Sequence, residues 1–349
     1  MEEERRKELK KQLTRLRKKL ANKQSLNSNL NTPETNRNKH KQEGIDKKNK
    51  NNKKNSFVQK PPKKQGDTQS GRQNTVASRE VEKKNRIISI ASGKGGVGKT
   101  TFSTNLGLIM SEKGVKTLII DADMGMANVD VMLGLKPKYN LGHVLKGKAD
   151  FNDVILEGPG GLHILPGTSG TDDLINIPSP SVERLLKLCE RIEDNYDMVL
   201  VDVGAGGHRD VLNFVRASDE TIIVLTPEPT AVMDAYSMIK ILKDNKCTER
   251  INLLINQVSS RKEGENVGLR MQKTINKFLD FEIEVIGQVP FDNKVRRAIK
   301  NQKPISLSYP NQRVASAIND VANKILDRKE EDSSSGVKKF FNKIIGMFN

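Results

Sequence analysis

What this chain lacks narrows it first. Cysteine occurs twice, as Cys189 and Cys247, far apart and outside any C-x-x-C pair. That excludes a disulfide frame and a cysteine-built metal cluster, and suits buried thiols in a reducing compartment. No apolar run approaches the roughly 20 residues needed to cross a bilayer, and the charged opening from Met1 to Lys11 has no signal-peptide apolar region. The expectation is a protein made and kept inside the cell. Tryptophan is absent and aromatics are 4% of the residues, with no row of them interleaved among the basic residues to stack nucleic-acid bases.

Charge is abundant, and its placement decides its meaning. The formal net charge is +17, yet residues 1–86 hold 26 Lys/Arg against 10 Asp/Glu, leaving 34 against 33 for the remainder. Basicity therefore belongs to a leader, while the rest is long enough for a real core and nearly neutral. Within the leader, Leu9, Leu13, Leu16 and Leu20 form one narrow stripe on a charged helix over 5–20. So thin a stripe either docks into a partner's groove or frays alone. From Ala21 to Asn85 the chain is rich in Asn, Lys, Gln and Ser, the composition of a disordered basic tether. Nucleic acid or anionic lipid is the alternative use of that charge.

The folded region is organised around Ile87 to Thr101, IISIASGKGGVGKTT. A run of apolar β-formers stops at a glycine-rich loop that fills G-x-x-x-x-G-K-[ST] with Gly93, Gly98, Lys99 and Thr100, and a helical pattern follows to Lys113. Glycines let successive backbone N–H groups turn inward around an anion, and the next helix adds its unpaired N–H groups. Gly93, Lys94, Gly95, Gly96, Val97, Gly98, Lys99, Thr100 and Thr101 are thus the candidate nucleotide cradle. Lys99 is expected on the β- and γ-phosphates and the Thr100 hydroxyl on Mg²⁺. Further apolar strands are expected over 115–120, 162–165, 198–203, 221–225, 252–255 and 285–289, mostly separated by helical stretches. That alternation predicts an α/β fold, a doubly wound and mainly parallel sheet with helices on both faces, with ligands at the carboxyl ends of its strands.

The boundaries expected are a partner-binding helix over 1–20, the tether over 21–85, an ATP-binding domain over 86–328, a spacer over 329–336 and a terminal helix over 337–349. On that last helix Val337, Phe340, Phe341, Ile344, Ile345 and Phe348 share a face, with Lys338, Lys339, Asn342 and Lys343 opposite. An apolar face beside a basic one, after a hydrophilic spacer, reads as an in-plane anchor for anionic membrane. The competing reading is a helix that packs back on the domain.

Lys94, inside the loop, makes Lys94-Gly95-Gly96-Val97-Gly98-Lys99-Thr100 resemble the deviant phosphate loop of the MinD/ParA ATPases. The resemblance is strong over about 87–325. It implies ATP and Mg²⁺ as cofactors, and a homodimer in which Lys94 reaches the partner's phosphates; a solvated loop lysine is the plainer reading. IDADMGMANVDVMLGL is similar to the family's first switch, so Asp123 is expected to position or polarise the attacking water and Asp121 to support the metal region, unless either merely caps the next helix. MVLVDVGAG is similar to the second, with Asp202 holding the metal through water. His208 beside it is expected to be exposed and idle. Asn256, closing LLIN, and Pro290 and Asp292 of V-P-F-D resemble the adenine site.

The segment TPEPTAVMDAYSMIKIL looks most like the FlhG (YlxH, FleN) branch of flagellar-number regulators, and Gln12, Leu16 and Arg17 match part of that branch's activator motif, with Lys11 and Leu13 replacing its Asp and Ala. The resemblance implies stimulation of an FlhF-type GTPase, contact with flagellar C-ring or basal-body proteins, and a peripheral place on the inner face of the membrane. MinD-like division-site placement, ParA-like partition and a non-hydrolysing scaffold or transcriptional co-regulator are the competing classes. A nearly neutral domain speaks against nucleic acid as its partner.

Overall fold

The computed structural model describes residues 85–123, 128–167, 179–247, 250–328 and 336–348, all within one compact unit spanning 77–349. The elements are β1 (Arg86–Ser92), α1 (Lys99–Glu112), β2 (Thr117–Ala122), α2 (Val129–Met132), α3 (Leu141–Leu145), α4 (Phe151–Val154), β3 (Leu156–Glu157) and β4 (His163–Leu165). There follow α5 (Ser179–Asn195), β5 (Met198–Ala205), α6 (Arg209–Ala217), β6 (Glu220–Leu225), α7 (Pro229–Asp244), β7 (Ile251–Val258) and α8 (Arg261–Leu279). The chain closes with β8 (Glu284–Pro290), α9 (Asn293–Lys300), α10 (Ile305–Ser308), α11 (Arg313–Asp327) and α12 (Gly336–Phe348).

Eight strands form one sheet in the order β3-β4-β2-β5-β1-β6-β7-β8, parallel throughout except where the two-residue β3 runs against β4. Each expected strand is present; β3 is too short to leave a periodic signal. Central strands are buried on both sides, so alternate residues serve opposite cores. Ile87, Leu118 and Val199 face one layer and Ile88, Ile119 and Leu200 the other. The doubly wound fold is thereby the observed one.

Register sets up the site. Ile90 pairs with Asp202 and Asp121 with Asp202, which sets Asp202 beside the strand that feeds the glycine loop and Asp121 one strand further out.

Two segments depart from expectation. Asn85, assigned by composition to the tether, is buried; its side-chain amide donates to the backbone carbonyls of Glu193 and Tyr196 at the end of α5. The terminal helix packs on α5 and α6, and Val337, Phe340, Phe341 and Ile344 are each at most 2% exposed. Phe340 lies 6.4 Å from Phe214 between ring centroids. The reading that the helix returns to the domain describes this conformation, and the expected lipid-facing surface is covered in it. The side chains of Ile345 and Phe348 lie outside the described residues. Among the described residues no helix is long and apolar enough to cross a membrane.

Candidate functional site

The glycine loop leaves β1 at Ser92 and enters α1 at Lys99. Three glycines are demanded by geometry, Gly96 by its φ of 79° and two more by what surrounds them. A Cβ on Gly93 would lie 2.3 Å from the backbone carbonyl of Asp234 on α7, so no side chain fits. Gly98 has φ 94°, a left-handed conformation that costs other residues strain, and a Cβ there would also lie 2.4 Å from Asn256 Nδ2. Around Gly95 and Gly96 a Cβ would meet nothing within 4 Å; the loop is open toward its cavity.

That cavity, about 900 Å³, is lined by the loop, Lys99, Thr100, Thr101 and Asp123. Lys99 is 8% exposed. Thr100 Oγ1 donates to Asp202 Oδ2 at 2.7 Å and Ser103 Oγ to Oδ1 at 2.8 Å. Burial pushes the Asp202 carboxyl above its ordinary range, while Lys99 and the two hydroxyls pull it back. Burial also pushes Asp121 up to about 7, against the lowering effect of its backbone hydrogen bonds. An anionic pair so deep in the fold gains from a cation. Among the described residues no three His, Cys, Asp or Glu side chains could enclose a metal, which fits Mg²⁺, an ion that usually takes one or two carboxylates and draws its other oxygens from phosphate and water. Thr100 and Asp202 would hold it, and it would neutralise charge developing on the phosphates.

The alternative roles of Asp121 and Asp123 separate here. Asp121 accepts the backbone N–H groups of Asp123, Asn128 and Val129 at 3.2, 2.9 and 3.1 Å, so it caps α2 while lying beside Asp202. Asp123 lines the cavity, its Oδ1 3.2 Å from where a Cβ of Gly204 would be.

Lys94 does not point at its own cradle. Its Nζ lies 3.1 Å from Glu228 Oε2 and donates to Thr230 Oγ1 at 2.9 Å, at the start of α7. Glu228 and Thr230 sit in the TPEPTAV segment, and nothing in its local pattern marks them as partners of the loop. Asn256 acts first as a strut: its amide donates to Val97 O at 2.7 Å and its oxygen accepts from Gln257 N at 2.9 Å. A second cavity of about 280 Å³ lies between Gly98, Asn256, Pro290 and Asp292, where a base would sit. Phe291, 48% exposed, offers it a ring, and Asp292 caps α9 through Lys294 N at 2.8 Å.

Sequence reasoning missed His208, Asp210, Lys300 and Gln302, all of which line the phosphate cavity. His208 is exposed, as expected, and it stands in that wall. Its position two residues after the last glycine of D-x-G-A-G was a usable signal. Lys300 had none, because only tertiary packing brings α9 to the loop. Gln12, Leu16 and Arg17 lie outside the described residues.

A profile described as the CobQ/CobB/MinD/ParA nucleotide binding domain matches residues 88–305. The antiactivator FleN of Pseudomonas aeruginosa is 38% identical over 240 residues, 69% of this chain and 86% of its own length. The flagellum site-determining protein YlxH of Helicobacter pylori is 34% identical over 265 residues, 74% and 90% of the two chains. Among solved structures, the septum site-determining protein MinD of Pyrococcus horikoshii, complexed with Mg-ADP, is similar with a TM-score of 0.54 at 25% identity, over 73% of this chain and 98% of that one. The matched span runs from the strand before the loop past Asp123, Asp202, Asn256 and Asp292, so the chain belongs to the CobQ/CobB/MinD/ParA family, whose fold is that of nucleotide-binding ATPases.

Proposed function

We propose that this protein is a slow, switch-like ATPase whose ATP-bound form dimerises, meets the inner face of the membrane through α12 and regulates the number and placement of flagella. The flagellar part rests on its likeness to FleN and YlxH. One observation carries the switch: α6 has a foot in each place that must communicate. Its first turn, with Asp210 and Val211, lines the phosphate cavity, and Phe214 from the same helix packs against Phe340 of α12.

In this reading ATP is held by Lys99 and the loop amides, Mg²⁺ by Thr100 and Asp202, and Lys94 exchanges Glu228 for the phosphates of a second copy. Asp123 orients the water whose attack ends the state. Val337, Phe340, Phe341 and Ile344 cannot face domain and lipid at once. Docking and membrane insertion bury the same face, so the cost of ordering the helix is common to both. The choice then turns on a small difference between two apolar surroundings, and a modest shift of α6 suffices to free the helix. Two helices per dimer raise the effective affinity further. The finer assignment, that the segment over 5–20 stimulates an FlhF-type GTPase, rests on Gln12, Leu16 and Arg17 alone.

Sedimentation on anionic liposomes with ATP or ADP, for the full chain and for a form ending before Val337, tests the switch. ATP-dependent pelleting that disappears on truncation is expected, and Asp123→Ala should pellet with ATP while hydrolysing it poorly. Binding that ignores nucleotide, or survives truncation, would assign the membrane contact to the basic leader instead.

A further inference from the structure

His208 precedes α6 with extended backbone, φ −66° and ψ 156°, and its side chain makes no capping hydrogen bond. The ring folds over Gly206: Cδ2 and Nε2 lie 3.4 and 3.5 Å from where a Cβ of that glycine would be. Gly206 is itself tied to the root of the glycine loop, its N–H donating to Ser92 O at 2.8 Å. Asp123 stands against Gly204 in the same way. The end of β5 therefore carries a short row in which the carboxylate and the imidazole flank two glycines, and both side chains line the wall of the phosphate cavity. Among the described residues the imidazole has no hydrogen-bond partner of its own.

We infer that His208 is a reader of the terminal phosphate: its imidazole donates a hydrogen bond to the γ-phosphate of a bound nucleoside triphosphate and has no counterpart to bind in a diphosphate. This rests on the nucleotide reading of the cavity and adds a residue to it. The physical basis is proximity without competition. Lys99 and the loop glycines line one stretch of the cavity wall and His208 the stretch that follows β5, and the proposed contact sets the third phosphate against that second stretch. The charged groups sharing the cavity are Lys99 from α1, Asp123 after β2, Asp210 beside Arg209 on its own helix, and Lys300 from α9. The helix α7 meets this turn through the aliphatic Ile241, whose Cδ1 lies 2.9 Å from a Cβ built on Gly207. Because α6 continues from His208 toward α12, the same contact would bias the helix that docks the terminal segment.

The test is competitive displacement of a fluorescent ADP by Mg·ATPγS and by Mg·ADP, for the wild type, His208→Ala and His208→Gln. The wild type should prefer ATPγS over ADP roughly three- to tenfold more than His208→Ala does, the worth of one hydrogen bond, and His208→Gln, which keeps a donor, should fall between them, while all three bind ADP alike. A His208→Ala chain that keeps the wild-type preference would overturn the assignment, and so would a parallel loss of ADP affinity, which would mark a structural role. A wild-type chain that binds neither nucleotide would remove the reading beneath it as well.

Discussion

The two ends of α6 open onto opposite kinds of recess. The phosphate cavity is open and carries charge, with Lys99, Asp123, Asp210 and Lys300 in its wall beside the glycine loop. The berth of α12 is dry and filled, with Phe340 and Val337 fully buried against α5 and α6. The first is specified by backbone geometry that few residues can adopt, so a short motif announces it. The second is specified by apolar shape alone, and apolar shape does not say whether protein or lipid will supply the partner. A single amphipathic pattern is therefore compatible with two destinations, and in the proposed switch α6 stands between them.

The comparison breaks most visibly at Phe340. Phe340→Ala removes a fully buried ring from the berth and should lower unfolding stability by about 3–5 kcal/mol, read from the urea midpoint of the nucleotide-free chain. Its ADP affinity should stay within twofold of wild type, because no cavity-lining residue is touched. An unchanged midpoint would mean that α12 is undocked in solution; a fall in ADP affinity would mean that the two recesses are already coupled without the third phosphate.

How much could be read in advance follows from how local each feature is. The loop from Gly93 to Thr101, the carboxylates at strand ends and the doubly wound sheet were legible, because strand–glycine–helix order and continuous apolar runs are short-range signals. The pairing of Asp121 with Asp202 follows from strand register, and strand register from topology. By contrast, Lys94 reaching Glu228, Asn256 bracing Val97 and Lys300 entering the cavity each depend on contacts between residues more than a hundred positions apart. Asn85 looked like tether by composition, yet its amide is held by the end of α5. The terminal helix was legible as a helix and as amphipathic, and the tertiary partner of its apolar face was not.

The polar recess can be sharpened through pH. Asp121 is raised to about 7 by burial, so between about pH 4 and 7 the native chain holds a proton that the unfolded chain has released. Stability from this group is then greatest at the acidic end of that window and declines as pH rises through it, by roughly 2–4 kcal/mol in all. The urea midpoint of the nucleotide-free wild type should therefore fall between pH 5 and about 7.5 more steeply than that of Asp121→Asn, whose amide oxygen still accepts from α2. Mg·ADP should flatten the wild-type slope, since a cation near Asp202 relieves the buried charge. Parallel slopes in both chains would show that another group carries the titration.

The apolar recess has a smaller polar catch at its entrance. Glu193 Oε1 accepts the backbone N–H of Lys338 at 2.6 Å, supplying from α5 the cap that the first turn of α12 would otherwise lack. Gly336 enters that turn at φ 67°, with space for a Cβ only 3.1 Å from the same carboxylate oxygen. The neighbouring Lys338–Glu190 pair, 3.3 Å apart and half exposed on both sides, adds little. Loss of a capping acceptor typically costs about 1 kcal/mol, and a difference of that size changes a two-state ratio about fivefold. Glu193→Ala should accordingly raise the fraction of the ADP-bound chain that pellets with anionic liposomes about fivefold, while the ATP-bound fraction, already undocked, hardly changes. Pelleting equal to wild type with ADP would show that the catch does not hold the helix, and that the buried rings alone decide when α12 leaves.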